Sequence, residues 1–168
     1  MVKTEMAKRI VVLGVGNILN RDEGAGVQAL KELEKRLPDD WKAKVELLDG
    51  GVLGMDLLPY VERATHLLVL DAADFQGRPG AIREFSGGAL KTFFSGKISW
   101  HQLGFQEVLE VARVRGHYPG QVHLIGVQPG DMEVGLGLSE ALELSVRDMA
   151  RRALDILKNW LEDTDHAE

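Results

Sequence analysis

Glu23, with Asp22 beside it, Asp49, Asp71 and His101 are the residues of this sequence whose types could jointly hold a divalent cation. Each acid follows the end of a strand-like run, Asp74 lies three residues beyond Asp71, and His101 precedes a helix-like stretch. Carboxylates brought together raise one another's pKa or require a cation between them. The cations nearest in sequence are Arg21, Arg78 and Lys97. Two carboxylate oxygens and one imidazole nitrogen, with positions left for water or substrate, suit a borderline ion such as zinc or nickel. The expected ligands are Glu23, Asp71 and His101.

Each residue also has a plainer role when taken singly. Asp22 and Glu23 can act as partners of a helix start. Asp49, before two glycines, can simply shape a turn. Asp71 closes a run of four apolar residues, where an unpaired carboxylate would be costly. His101 alone would serve as a helix cap or a surface histidine. His66, His117, His123 and His166 are read as structural, and the methionines and tryptophans as core residues without a site role.

The elements that must position these side chains follow from periodicity. "RIVVLGV", "KVELLDGG", "HLLVLDAAD" and "QVHLIGVQP" are strand-like runs, the first continuously apolar as in a strand buried on both faces. "GAIREFS" has the pattern of an edge strand. Val27, Leu30, Leu33 and Leu37 recur at helical spacing after Asp22. "MDLLPYVERA" is expected to be a helix interrupted by Pro59. A loop containing "SGKISWHQLG" should precede a helix through Val108, Val111, Ala112 and Arg115. A long amphipathic helix should run from Ser139, its N-cap, to Trp160. "DTDHAE" is expected to be a frayed, solvated end, from about residue 162. Strand–helix alternation at this spacing predicts an open, mostly parallel α/β sheet covered on both faces. Ligands of such sheets lie beyond the carboxyl ends of the strands. The 168 residues, without repeats or linker, are expected to form one domain.

Composition narrows the function. The formal net charge of -6 disfavours nucleic acid and anionic membrane surfaces as partners. Without cysteine there is no disulfide, thiolate metal site or cysteine nucleophile. The N-terminal apolar run is short and broken by glycines, so it reads as a first strand rather than a signal peptide. No segment approaches the roughly 20 apolar residues of a membrane span, and a soluble cytoplasmic protein is expected. Neither a G-x-S-x-G elbow nor an H-E-x-x-H helix occurs. The dinucleotide fingerprint begins at Gly14 and Gly16 but has Leu19 at its third glycine. Asp49 does imitate a ribose-binding acid, so a dinucleotide-binding domain is the alternative, with a non-enzymatic nickel- or partner-sensing module as a third class.

"GVGNILNRDEGAG", "LLDGGVLGMDLL", "VLDAAD", "KISWHQLG" and "LIGVQP" together resemble, in order and spacing, the hydrogenase maturation proteases. The likeness covers roughly residues 9 to 150. It implies a three-layer α/β/α fold with a twisted five-stranded sheet, mostly parallel, in which "GAIREFS" is the antiparallel strand. It implies an endopeptidase, classed with aspartyl proteases, that removes the C-terminal extension of the nickel–iron hydrogenase large-subunit precursor. The family's metal-binding acid, aspartate and histidine fall on Glu23, Asp71 and His101. The aspartate of its D-G-G block falls on Asp49, which would recognise substrate or assist proteolysis. Nickel would arrive bound to the precursor, with zinc or cadmium able to substitute in vitro, and only loaded substrate would be cut. The residues do not choose among Asp49, Asp71 and Glu23 as general base. Trp100 departs from the pattern, since many relatives have proline before the histidine.

Overall fold

The computed structural model describes residues 7–52, 54–95 and 100–163, with backbone alone for residues 100–104. Its centre is β1 (Ile10–Val15), buried at every residue. Alternate side chains of a strand leave on opposite faces, and β1 accordingly feeds two cores. Ile10 and Val12 pack with α1 (Ala25–Arg36) and α5 (Glu140–Glu162). Val11, Leu13 and Val15 pack with α2 (Leu58–Arg63), α3 (Gly87–Phe94) and α4 (Trp100–Val114). The continuous apolar run "IVVLGV" is therefore that of a strand covered on both sides.

β1 pairs in parallel with β2 (Val45–Gly51) and with β3 (His66–Ala72), and β3 with β5 (Gln121–Val127). β4 (Ile82–Ser86) runs antiparallel to β5 at the sheet edge, giving the order β2-β1-β3-β5-β4. This is the expected α/β/α architecture with one antiparallel strand, "GAIREFS". Because four strands are parallel, β1, β2 and β3 deliver the segments bearing Glu23, Asp49 and Asp71 to one edge. α4 leads into the parallel strand β5, so its first turn starts from that same edge. Its packing on the 3-10 turn Gly54–Leu57, which follows β2, agrees. Among the described residues no helix is long and apolar enough to cross a membrane.

Two local expectations need correction, and one helix falls outside them. Pro59 does not interrupt a helix; it sits in the first turn of α2, where the missing N–H costs nothing. Gly87–Phe94 forms a helix that periodicity did not reveal, because two glycines open it. Its buried Leu90 and Phe94 supply the order by packing against Phe105 and its neighbours. Trp100 and His101 belong to α4 rather than to a preceding loop. Residues 1–6 and the tail from 164 onward, including His166, lie outside the described residues.

Candidate active site

The glycines after β1 serve close packing. Gly16 has φ +130, and a Cβ there would stand 1.9 Å from the Glu23 carbonyl oxygen. At Gly26 a Cβ would meet the Leu70 carbonyl oxygen at 2.1 Å and that of Val15 at 2.5 Å. Backbone thus lies directly on backbone, which only glycine allows. The 3-10 turn Arg21–Gly24, carrying Glu23, is folded onto the end of β1 and packs against β3, the strand that ends in Asp71. Space for a phosphate is replaced by a carboxylate-bearing turn.

The structure brings three of the four expected residues to one edge with their side chains described. Glu23 is half-buried, and its Oε2 accepts a hydrogen bond from Asn20 Nδ2 at 3.0 Å. Asp71, near the carboxyl end of β3, is 3% exposed. Asp49 is exposed; its Oδ1 accepts the Gly51 N–H at 3.0 Å, where a register shift precedes the last β1–β2 pair, Val15 with Gly51. His101 has its backbone in the first turn of α4, and its side chain lies outside the described ones. Among the described residues, which exclude that imidazole, no three acids or histidines form a ready ion-binding group. Arg21 pairs with Asp131 at 3.6 Å. The loop after Asp71 is pinned by Gln128, whose Oε1 accepts the N–H of Phe75 and Gly77 and whose Nε2 donates to Asp74.

Asp22 differs from its expected role at a helix start. It is fully buried and reaches across the molecule to the β5–α5 loop. Its carboxylate accepts the N–H of Gly130 (2.9 Å), Asp131 (2.8 Å) and Ser139 (2.7 Å), and the Ser139 hydroxyl (2.7 Å). Ser139 does precede α5, but its side chain makes no capping bond there because it is spent on Asp22. Burial pushes the Asp22 carboxyl up, but these hydrogen bonds outweigh it and hold the pKa below the ordinary 3.8. A depressed folded-state pKa contributes stability above the ordinary value that is lost as pH falls through the folded one. The advantage in Tm of the native protein over Asp22→Asn should therefore be full at about pH 6 and shrink below about pH 4 in thermal melts.

Two other histidines make structural contacts: His123 meets Glu84 at 3.0 Å, and His66 packs edge-on against Trp160; His117 is exposed on a loop. Core placement holds for Met149 and Trp160 but not for Met55 and Met132, which are exposed on loops at the carboxyl edge.

These features define a three-layer α/β/α protein whose carboxyl edge presents acids where nucleotide-binding relatives of the architecture present a phosphate cradle. The comparisons with known proteins are specific: the model of the hydrogenase maturation protease family matches residues 27–156. The chain belongs to that family. It is 39% identical over 153 residues to the hydrogenase 2 maturation protease of Escherichia coli, covering 89% of this chain and 91% of that one. It is also 39% identical over 153 residues to the hydrogenase expression/formation protein HoxM of Cupriavidus necator, covering 90% and 75%. The solved hydrogenase maturating endopeptidase HybD from E. coli superposes with a TM-score of 0.82 at 38% identity, covering 90% and 93%. HybD from Thermococcus kodakarensis, at 22% identity and a TM-score of 0.73 over 88% and 98%, shares the fold. The protein is thus a peptidase, a hydrolase of hydrogenase maturation.

Proposed function

We propose that this endopeptidase removes the C-terminal extension of a nickel–iron hydrogenase large-subunit precursor, and that it senses the substrate's nickel through Glu23, Asp71 and His101. The observation that carries the reading is the packing of the Glu23 turn against β3, beside the nearly buried Asp71. The donor set fits nickel: carboxylate oxygens together with an imidazole nitrogen suit a borderline divalent ion. The ion belongs to the substrate, and zinc or cadmium should occupy the same donors in vitro.

The chain's own groups then have distinct tasks. Glu23, oriented by Asn20, and Asp71 present oxygens toward a loaded substrate, and His101 adds its imidazole. Discrimination follows from coordination energy, which an empty precursor cannot supply. Asp49, exposed with one oxygen held by Gly51, suits recognition of the substrate chain or assistance in proteolysis, and Glu23, Asp71 and Asp49 are the candidates for the general base. The acidic, cysteine-free composition suits work in the cytoplasm.

Incubation of the purified protein with nickel-loaded and nickel-free precursor tests the reading. Only the loaded form should lose its C-terminal extension on gels and by mass; equal cleavage of both contradicts nickel sensing.

A further inference from the structure

Ten large apolar side chains are exposed among the described residues, and they are unevenly distributed. Val114 and Tyr118 lie toward the amino end of β5, and Leu144 lies on α5. The other seven lie on loops that leave the carboxyl ends of β1, β2 and β5. The most concentrated group is Ile18 and Leu19 after β1 with Val134 and Leu136 after β5. Leu19 is 57%, Val134 88% and Leu136 75% exposed. Apolar groups gathered at one edge of a protein mark an interaction surface rather than scattered surface residues.

The two loops are built into one unit. Gly135 N–H donates to the Leu19 carbonyl at 2.8 Å, and Arg21 N–H donates to the Gly135 carbonyl at 3.2 Å. These bonds form a parallel bridge between Asn20 and Gly135. Beneath it, Asp22 fixes both ends of the 130–139 segment through the bonds described above. A Cβ on Gly135 would stand 2.9 Å from Arg21 Nε, so the loops lie close together. The apolar centre carries a charged margin of Arg21, Asp131 and the exposed Glu133. Apolar centre and charged margin are the anatomy of a protein-binding surface.

We propose that this bridged pair of loops is a preformed platform on which the folded body of the precursor docks, so that its C-terminal segment is delivered to the Glu23–Asp71 edge. The proposal rests on the reading that the substrate is a hydrogenase precursor. The occupant is inferred from continuity: Leu19 and Glu23 belong to one short connection, so whatever covers the platform also borders the acidic edge. A second copy seated there would obstruct substrate access. An anionic membrane is disfavoured by the acidic margin and the net charge of -6. Cavities elsewhere do not compete for the role. One of about 750 Å³ is lined by Lys8, Arg9, Lys44 and Arg63 at the amino ends of β1 and β2, the opposite end of the sheet.

The test is the double variant Val134→Asp/Leu136→Asp in the full chain, with Val114→Asp as a control at the far edge. Interferometry measures the Kd for nickel-loaded precursor, equilibrium dialysis the affinity for cadmium alone, and sedimentation the mass. The double variant should bind precursor ~10-fold or more weakly, the loss expected from a central apolar contact. Cadmium affinity should be unchanged, and the control should bind precursor as the native protein does. Equal Kd for the double variant and the native protein overturns the platform. So does a native dimer that the double variant converts to monomer, because the occupant would then be a second copy. The Kd is read independently of cleavage, so failure of nickel gating and failure of the platform give different results.

Discussion

Glu23→Gln protein should fold normally yet cleave nickel-loaded precursor roughly 10²-fold more slowly than the native enzyme, or not at all. The substitution keeps an oxygen able to accept the Asn20 amide, so the local hydrogen bond survives while the charge is lost. Its thermal stability should change by less than about 1 kcal/mol, or about 2–4 °C in Tm. Asp71→Asn should be at least as damaging to activity, since its carboxylate is the more enclosed of the two. The difference between the two acids is one of placement: Glu23 arrives on a turn, Asp71 at the end of a central strand. Initial rates on loaded precursor, with Tm measured in parallel, check both variants. Full activity in either removes that carboxylate from the machinery.

The second large effect belongs to Gly16. A methyl group there would collide with the Glu23 carbonyl oxygen at 1.9 Å, and the backbone has φ +130, which L side chains rarely adopt. Overpacking costs about 1–3 kcal/mol and a strained backbone about 1–2 kcal/mol more. Gly16→Ala should therefore lower stability by roughly 2–5 kcal/mol, a fall of about 4–20 °C in Tm. It should also lose cleavage, because relief of the clash displaces the turn that carries Glu23. Gly116→Ala separates the two contributions: Gly116 has φ +77 but nothing within 4 Å of its Cβ position. That variant should show only the smaller backbone cost and keep its activity. Melts indistinguishable between Gly16→Ala and Gly116→Ala would contradict the close-packing account of the glycine turn.

Much of the architecture was legible because its signals are local. Continuous apolar runs revealed strands covered on both faces, and acids at their ends pointed to one edge once the sheet was taken as parallel. The family resemblance supplied the antiparallel strand and the roles of Glu23, Asp49, Asp71 and His101. What stayed hidden depends on contacts between distant residues. Asp22 and Ser139 are separated by 117 positions, and nothing periodic in either neighbourhood announces their bond. From local sequence both therefore resemble ordinary helix-start residues. Gly87–Phe94 has too much glycine at its start to declare a helix, and its order comes from Leu90 and Phe94 in the core. Met55 and Met132 looked like core material because residue type alone does not distinguish a buried methionine from one displayed on a loop.

The central claim is that Glu23, Asp71 and His101 grip one divalent ion together. Equilibrium dialysis of nickel or cadmium against the native protein, Glu23→Gln, Asp71→Asn and His101→Ala tests it most directly. The account predicts a single site in the native protein and at least ~10-fold weaker binding in each variant, the minimum expected when a ligand is removed. Undiminished affinity in any one of the three variants would contradict it.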